Sequence, residues 1–259
     1  MLPERQYFSP IEKELHFNQW SKNRNINLFL FDLDDTICVT GPVFDKQTIK
    51  AINLLATSNP IISREEWQKE ITNTNNELFE KLGVNPDKYN QLVNELNEKF
   101  NLNSEIRQQT LEIFQQIFTT PLEMLYGARE GLRFLKKVGM PTGIVTNANR
   151  RWTYEKYKWL GLKDFIDWDN DIYVVDENNH KNSESWQKAI DYFKVRPDQC
   201  AIIGDSPRSD INPTQEIGVK QTFLVENPLI WSVHNQPVHP NTIRIKNLSE
   251  LIGLGTEKL

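Results

Sequence analysis

Six short apolar runs punctuate the chain: INLFLFD (26–32), TGIVTN (142–147), DIYVV (171–175), CAIIGD (200–205), QTFLV (221–225) and NTIRI (241–245). Nearly continuous apolar runs of this length suit strands buried on both faces, as in a parallel sheet covered by helices. Between the later runs the spacing lengthens to that of helices. Ala128 to Val138 places Leu132, Leu135 and Val138 at helical intervals, and Ser183 to Phe193 puts Trp186, Ala189, Ile190 and Phe193 on one face. Alternating strands and helices predict an α/β fold, a doubly wound Rossmann-like parallel sheet.

The stretch 41–120 has a different pattern and no strand-like run. Trp67, Ile71, Leu78 and Leu82 share a helical stripe, as do Tyr89, Leu92, Val93, Leu96 and Phe100, and then Ile106, Ile113, Phe114 and Ile117. Breaks fall at Asn59-Pro60, Gly83 to Pro86 and Thr120-Pro121. The block follows the first strand and precedes the next, so it reads as an all-helical insertion packed as a small bundle. The expected core is then 1–40 and 121–259, with 41–120 as the inserted helical domain. Residues 1–25 form an N-terminal extension with a helix near Ile11 to Trp20 and no assigned chemistry.

Composition narrows the function classes. Thirty Lys and Arg against 35 Asp and Glu leave a net charge of −5, which argues against a nucleic-acid or anionic-membrane binder with a broad basic surface. Mean hydropathy is −0.57, and no apolar run approaches the ~18–20 residues of a membrane helix. The opening MLPERQYFSP lacks the basic start and apolar stretch of a signal peptide. With only Cys38 and Cys200, neither a disulfide framework nor a thiolate zinc site is available. A reducing cytoplasm is the expected compartment. The four histidines, His16, His180, His234 and His239, show no metal-binding spacing.

The chemistry concentrates at two strand ends. Asp32-Leu33-Asp34-Asp35-Thr36 follows the first apolar run, and Gly204-Asp205-Ser206-Pro207-Arg208-Ser209-Asp210 follows another. In an open parallel sheet the C-terminal strand ends share one edge, where ligands bind. If the two strands are neighbours, Asp32, Asp34, Asp205 and Asp210 converge. Two carboxylates about 4 Å apart repel by about 4 kcal/mol at an effective dielectric near 20. Such a group requires protons or a cation, and a set of oxygen donors alone favours Mg²⁺. TGIVTN supplies the Thr146 hydroxyl and the Asn147 backbone amide for an anionic oxygen. Lys181, between the third run and the helix after it, offers a compact positive charge to a phosphoryl group. Together these are the parts for phosphoryl transfer through an aspartyl-phosphate.

The sequence resembles the haloacid dehalogenase superfamily of phosphohydrolases, over roughly residues 26–253 and with all its motifs in order. Asp32-Leu33-Asp34-Asp35-Thr36 resembles the first motif, which implies Asp32 as nucleophile and Asp34 as general acid and base. Thr146 resembles the phosphate-binding hydroxyl of the second motif and Lys181 the lysine of the third. Asp205 and Asp210 resemble the fourth, which completes an Mg²⁺ site. Tyr126 to Leu132 and the final NLSELIGL resemble the family's re-entry segment and last core helix. The insertion resembles a type-one cap, and the whole is phosphoglycolate-phosphatase-like. Two positions depart from the pattern. Asp35 stands where Gly is usual, and Asn182 rather than Pro follows Lys181. Lys163 is the alternative lysine, but it precedes the third strand instead of following it.

Asp34 points to phosphate esters over dehalogenation, because a leaving alkoxide needs a proton. The resemblance therefore implies a Mg²⁺-dependent phosphatase for a small phosphorylated metabolite. The alternatives are a sugar phosphomutase of the same fold, with Lys46 or Lys50 as cap contributors, and a phosphatase-like protein that acts by binding a partner.

Overall fold

In the computed structural model, which describes residues 8–83, 85–175, 181–226 and 237–256, the six apolar runs form one sheet. Its strands are β1 (Leu28–Phe31), β4 (Thr142–Asn147), β5 (Ile172–Val175), β6 (Cys200–Gly204), β7 (Gln221–Val225) and β8 (Ile243–Ile245), in the order β5-β4-β1-β6-β7-β8. Every neighbouring pair is parallel. Phe31 pairs with Ile144 on one side and with Ile203 on the other. The ends of β1, β4 and β6 therefore share one edge.

Alternation along β1 explains why the sheet is covered on both faces. Phe29 and Phe31 enter one hydrophobic cluster with Phe17, Leu132, Leu135 and Phe223, whereas Leu28 and Leu30 enter another with Trp186, Ile190 and Ile202. Successive side chains of a strand point to opposite faces, so a run with no polar member buries both. Helix α1 (Pro10–Asn23) delivers Phe17 and Trp20 to the first face. It starts on a Ser9–Glu12 capping box with Pro10 just inside, a combination that satisfies the free amides of the first turn. Helix α6 (Ala128–Lys137) lies on that same face and α8 (Ser183–Tyr192) on the opposite one.

The stretch after β1 is helical, as its stripes predict. Its helices are α2 (Gly41–Ser58), α3 (Arg64–Leu82), α4 (Lys88–Phe100) and α5 (Ser104–Gln115). They surround a hydrophobic cluster of their own that includes Leu55, Trp67, Leu78, Leu92, Leu96 and Phe114. A short antiparallel pair, β2 (Cys38–Val39) with β3 (Glu123–Met124), joins the exit and return of the chain. These two-residue strands are too short to carry a sequence signature. Ala148 and Trp152, which follow β4, also belong to the helical cluster, so the sheet side and the insertion share apolar contacts.

Two elements differ from expectation. Residues 248–253 form a 3-10 segment rather than a full helix. It packs so tightly that a Cβ on Gly131 would stand 2.5 Å from the Leu248 carbonyl oxygen. Helix α7 (Arg150–Trp159) follows β4 and carries no clear apolar stripe, because its buried face includes Thr153 and Lys156. A last short helix, α9 (Asn212–Glu216), precedes β7. Among the described residues no helix is long and apolar enough to cross a membrane.

Candidate active site

The acidic loop after β1 begins with Asp32, whose backbone amide donates to the Ile203 carbonyl of β6 at 2.9 Å. That bond holds Asp32 beside the end of β6, where Asp205 follows. Asp210 returns from a π-helical turn at Pro207–Ile211. The turn is fastened from several directions. Ser206 N donates to Asp210 Oδ2 at 3.1 Å, Trp186 Nε1 of α8 donates to the Ser209 carbonyl at 2.7 Å, and the Thr214 hydroxyl donates to the Asp210 carbonyl at 2.6 Å. Asp32, Asp205 and Asp210 each bring one carboxylate oxygen into a group whose members lie within 4.8 Å of one another, and all three residues are buried.

Lys181 reaches this group from just before α8, where the Asn182 side chain caps the helix by accepting from Ser185 N at 2.9 Å. The departure from the family pattern thus supplies an N-cap. The Lys181 ammonium pairs with Asp32, lies 2.6 Å from Asp210 Oδ1, and donates to the Val145 carbonyl at 3.2 Å. Burial raises Asp32 to about 7, against the opposing pull of Lys181, with Asp210 and Asp34 adding to the rise. Burial also lowers Lys181, but Asp210 and Asp32 outweigh it and hold the ammonium above its ordinary value. Lys163, the alternative lysine, is exposed on the turn before β5.

Among the described residues three buried carboxylates meet one ammonium, that of Lys181, which leaves a deficit of positive charge. A hard divalent cation matches both that deficit and the all-oxygen donor set. Asp210 Oδ1 is buried against the Lys181 ammonium. The residues present therefore fit Mg²⁺. Asp34 does not enter this trio. Its carboxylate turns instead to Lys156 of α7, whose Nζ lies 2.6 Å from both oxygens.

Among the described residues the edge also holds buried polar atoms with no partner: the hydroxyls of Thr36 and Thr146 and Oδ1 of Asn147. Thr146 is 1% exposed at the end of β4. A buried hydroxyl without a partner is costly unless a ligand supplies one. Asp35, in the position where Gly is usual, has φ +59, a region that Asp enters more readily than most residues. Arg208 pairs with Glu80 of α3 at 2.9 and 3.1 Å, so it does not stand free in solvent. Cys38 is buried, and burial pushes its thiol well up; Cys200 is raised to about 12 by burial. His180 lies outside the described residues.

Sequence reasoning missed Lys156. Its signal was present but inverted, since a lysine among Tyr154, Glu155, Tyr157 and Lys158 reads as part of a solvated face.

A haloacid dehalogenase-like hydrolase family model matches residues 26–218. Glyceraldehyde 3-phosphate phosphatase of Pyrococcus furiosus is 28% identical over 205 residues, covering 78% of this chain and 81% of that protein. Pyrophosphatase PpaX of Bacillus cereus is 25% identical over 197 residues, covering 75% and 81%. The crystal structure of a haloacid dehalogenase-like family hydrolase from Xanthomonas campestris superposes with a TM-score of 0.72 at 17% identity, covering 88% of this chain and 90% of that one. The family match spans the acidic loop, Thr146, Lys181 and the Asp205–Asp210 turn, and the chain belongs to the haloacid dehalogenase-like hydrolases.

Proposed function

We propose that this hydrolase is a Mg²⁺-dependent phosphatase for a small phosphorylated metabolite, with Asp32 as its nucleophile. One observation carries the reading: three buried carboxylates, a buried lysine and a buried threonine hydroxyl with no partner among the described residues meet at the ends of adjacent strands. Mg²⁺, held by Asp32, Asp205 and Asp210, would supply charge stabilisation to the phosphoryl oxygens. Thr146, the Asn147 amide and Lys181 hold the remaining oxygens of the group.

Asp32 attacks phosphorus in line, and the bond to the leaving oxygen breaks as the bond to the carboxylate forms. Asp34 gives a proton to the leaving oxygen. It then takes one from the water that hydrolyses the aspartyl-phosphate, which frees the Asp32 carboxylate, returns Asp34 to its protonated form and releases phosphate. Asp34 suits that work by standing apart from the buried trio, with its side chain 28% exposed. The helices α2 to α5 act as a cap that limits water and selects the leaving group.

The names of the relatives place a three-carbon phosphate ester and pyrophosphate at the head of a substrate panel. The test is steady-state hydrolysis of 4-nitrophenyl phosphate and that panel, with and without Mg²⁺, beside Asp32→Asn. Asp32→Asn is expected to lose about a thousandfold or more in kcat. Unchanged activity removes Asp32 as nucleophile, and failure to hydrolyse any of the panel favours a binding role instead. For the phosphomutase alternative, Lys46 and Lys50 are both exposed, and Lys50 Nζ lies 3.4 Å from Gln116 Oε1.

A further inference from the structure

Lys156 has no solvent exposure, although it sits in a helix with a strongly charged sequence. Its ammonium has three N–H groups to place. Both Asp34 oxygens stand 2.6 Å from it, and the ring centroid of Trp152, one turn earlier in α7, is 3.5 Å away. Two carboxylate oxygens and one aromatic face thus account for its donors, and none is left over for a substrate. Asp34 Oδ1 has a further contact with the Cys38 thiol at 3.6 Å. A carboxylate held at both oxygens by one cation has its plane and its rotamer set. Each oxygen still has a lone pair to turn toward the site.

Trp152 extends this hold into the insertion. Its ring meets that of Phe118 edge-on at a centroid distance of 4.9 Å, and Phe118 meets Tyr89 of α4 at 5.7 Å. Trp152 also lies within the hydrophobic cluster formed by the helices of the insertion. The contacts run without a gap from Asp34 through Lys156 and Trp152 to α4.

We propose that Lys156 is a positioning residue for the acid–base step: it clamps the Asp34 carboxylate in its working orientation and ties that orientation to the seated insertion. The clamp rests on the acid–base reading of Asp34, and the test separates the two. Misplacing a catalytic group by about 1 Å costs on the order of a hundredfold in rate. Loss of the clamp is therefore expected to lower kcat about 10- to 100-fold and to leave KM within about threefold.

The experiment is a double-mutant cycle in the full-length protein, using Lys156→Met, Asp34→Asn and the pair, with 4-nitrophenyl phosphate as substrate and thermal unfolding in parallel. Lys156→Gln runs beside Lys156→Met as a polar variant of similar length, should the first fail to fold. If Lys156 works through Asp34, the pair is no slower than Asp34→Asn alone. Propylammonium added to Lys156→Ala is expected to restore part of kcat. A kcat within twofold of the native value in folded Lys156→Met, with only Tm changed, assigns the lysine a structural role and overturns the clamp. So does a fully multiplicative loss in the pair. Native activity in Asp34→Asn overturns the acid–base reading itself, whereas a crippled Asp34→Asn beside an unimpaired Lys156→Met overturns the clamp alone.

Discussion

Asp35 accepts two hydrogen bonds from Thr40, 2.9 Å from its backbone amide and 2.8 Å from its hydroxyl. Thr40 is the residue immediately before α2, and both residues are buried. The pair closes the loop that carries the chain from the acidic strand end into the insertion. It also explains how a residue with a side chain occupies φ +59. The carboxylate gains partners that Gly cannot offer.

Substitutions at Asp35 separate backbone strain from hydrogen bonding. Asp35→Ala loses about 1.5–3 kcal/mol for bonds to a charged acceptor and keeps the left-handed strain of about 1–2 kcal/mol. Asp35→Gly loses the same bonds but sheds that strain. Urea unfolding is therefore expected to rank native above Asp35→Gly above Asp35→Ala. Equal losses for the two variants would show that the strain contributes nothing.

Lys88 gives a pH prediction. It is 7% exposed at the start of α4, and burial lowers its ammonium from 10.5 to about 8. Between those values the unfolded chain binds the proton more tightly than the native one, so stability rises with pH across this window. Below about 8 the native state bears the full cost of a buried charge, on the order of 3 kcal/mol. The rings of Phe79 and Tyr89 lie 5.3 and 5.1 Å from Nζ. Lys88→Met is expected to be more stable than the native protein at pH 7, with the advantage shrinking toward pH 10. Chemical denaturation at both values checks this, and a constant difference would place the ammonium in contact with solvent.

What was legible in the sequence followed what each residue type makes conspicuous. Apolar runs such as TGIVTN and QTFLV coincide with β4 and β7 to the residue, because strands buried on both faces keep a continuous apolar centre. The cap breaks at Asn59-Pro60 and Gly83 were readable because helices must end there. Acidic residues at strand ends stood out, and parallel pairing of β1 with β6 brings Asp32, Asp205 and Asp210 together. Lys156 did not stand out, since its burial depends on Asp34, 122 residues earlier. Arg208 is a similar case: its partner Glu80 lies 128 residues away, and no local pattern announces it.

That Arg208–Glu80 pair joins α3 to the Asp210 turn, yet both side chains are about half exposed, at 51% and 59%. Exposed ion pairs contribute about 0–1 kcal/mol. Glu80→Gln is accordingly expected to change unfolding free energy by less than about 1 kcal/mol at low salt. The effect should disappear in 1 M NaCl, where the screening length falls to about 3 Å. A larger loss that persists in salt would mean that the pair is shielded from water.

Gly204 tests the proposed ion site from behind. It closes β6 directly before Asp205, and a Cβ there would overlap both the Cβ and the carboxylate of Asp210. The backbone of the turn has little room to retreat, being held by Trp186 through the Ser209 carbonyl and by Thr214 through the Asp210 carbonyl. The Asp210 side chain must therefore give way. Overpacking of this kind costs about 1–3 kcal/mol. The sharper consequence concerns the ion. At one hundred times its dissociation constant, Mg²⁺ adds about 2.7 kcal/mol to native stability. If Gly204→Ala weakens binding about a hundredfold, the same concentration adds only about 0.4 kcal/mol. Thermal unfolding with and without Mg²⁺ measures both increments, and isothermal titration of Mg²⁺ into each protein gives the affinities directly. An undiminished increment in Gly204→Ala would remove Asp210 from the ion's ligands. An absent increment in the native protein at saturating Mg²⁺ would remove the ion from the Asp32, Asp205, Asp210 and Lys181 group altogether.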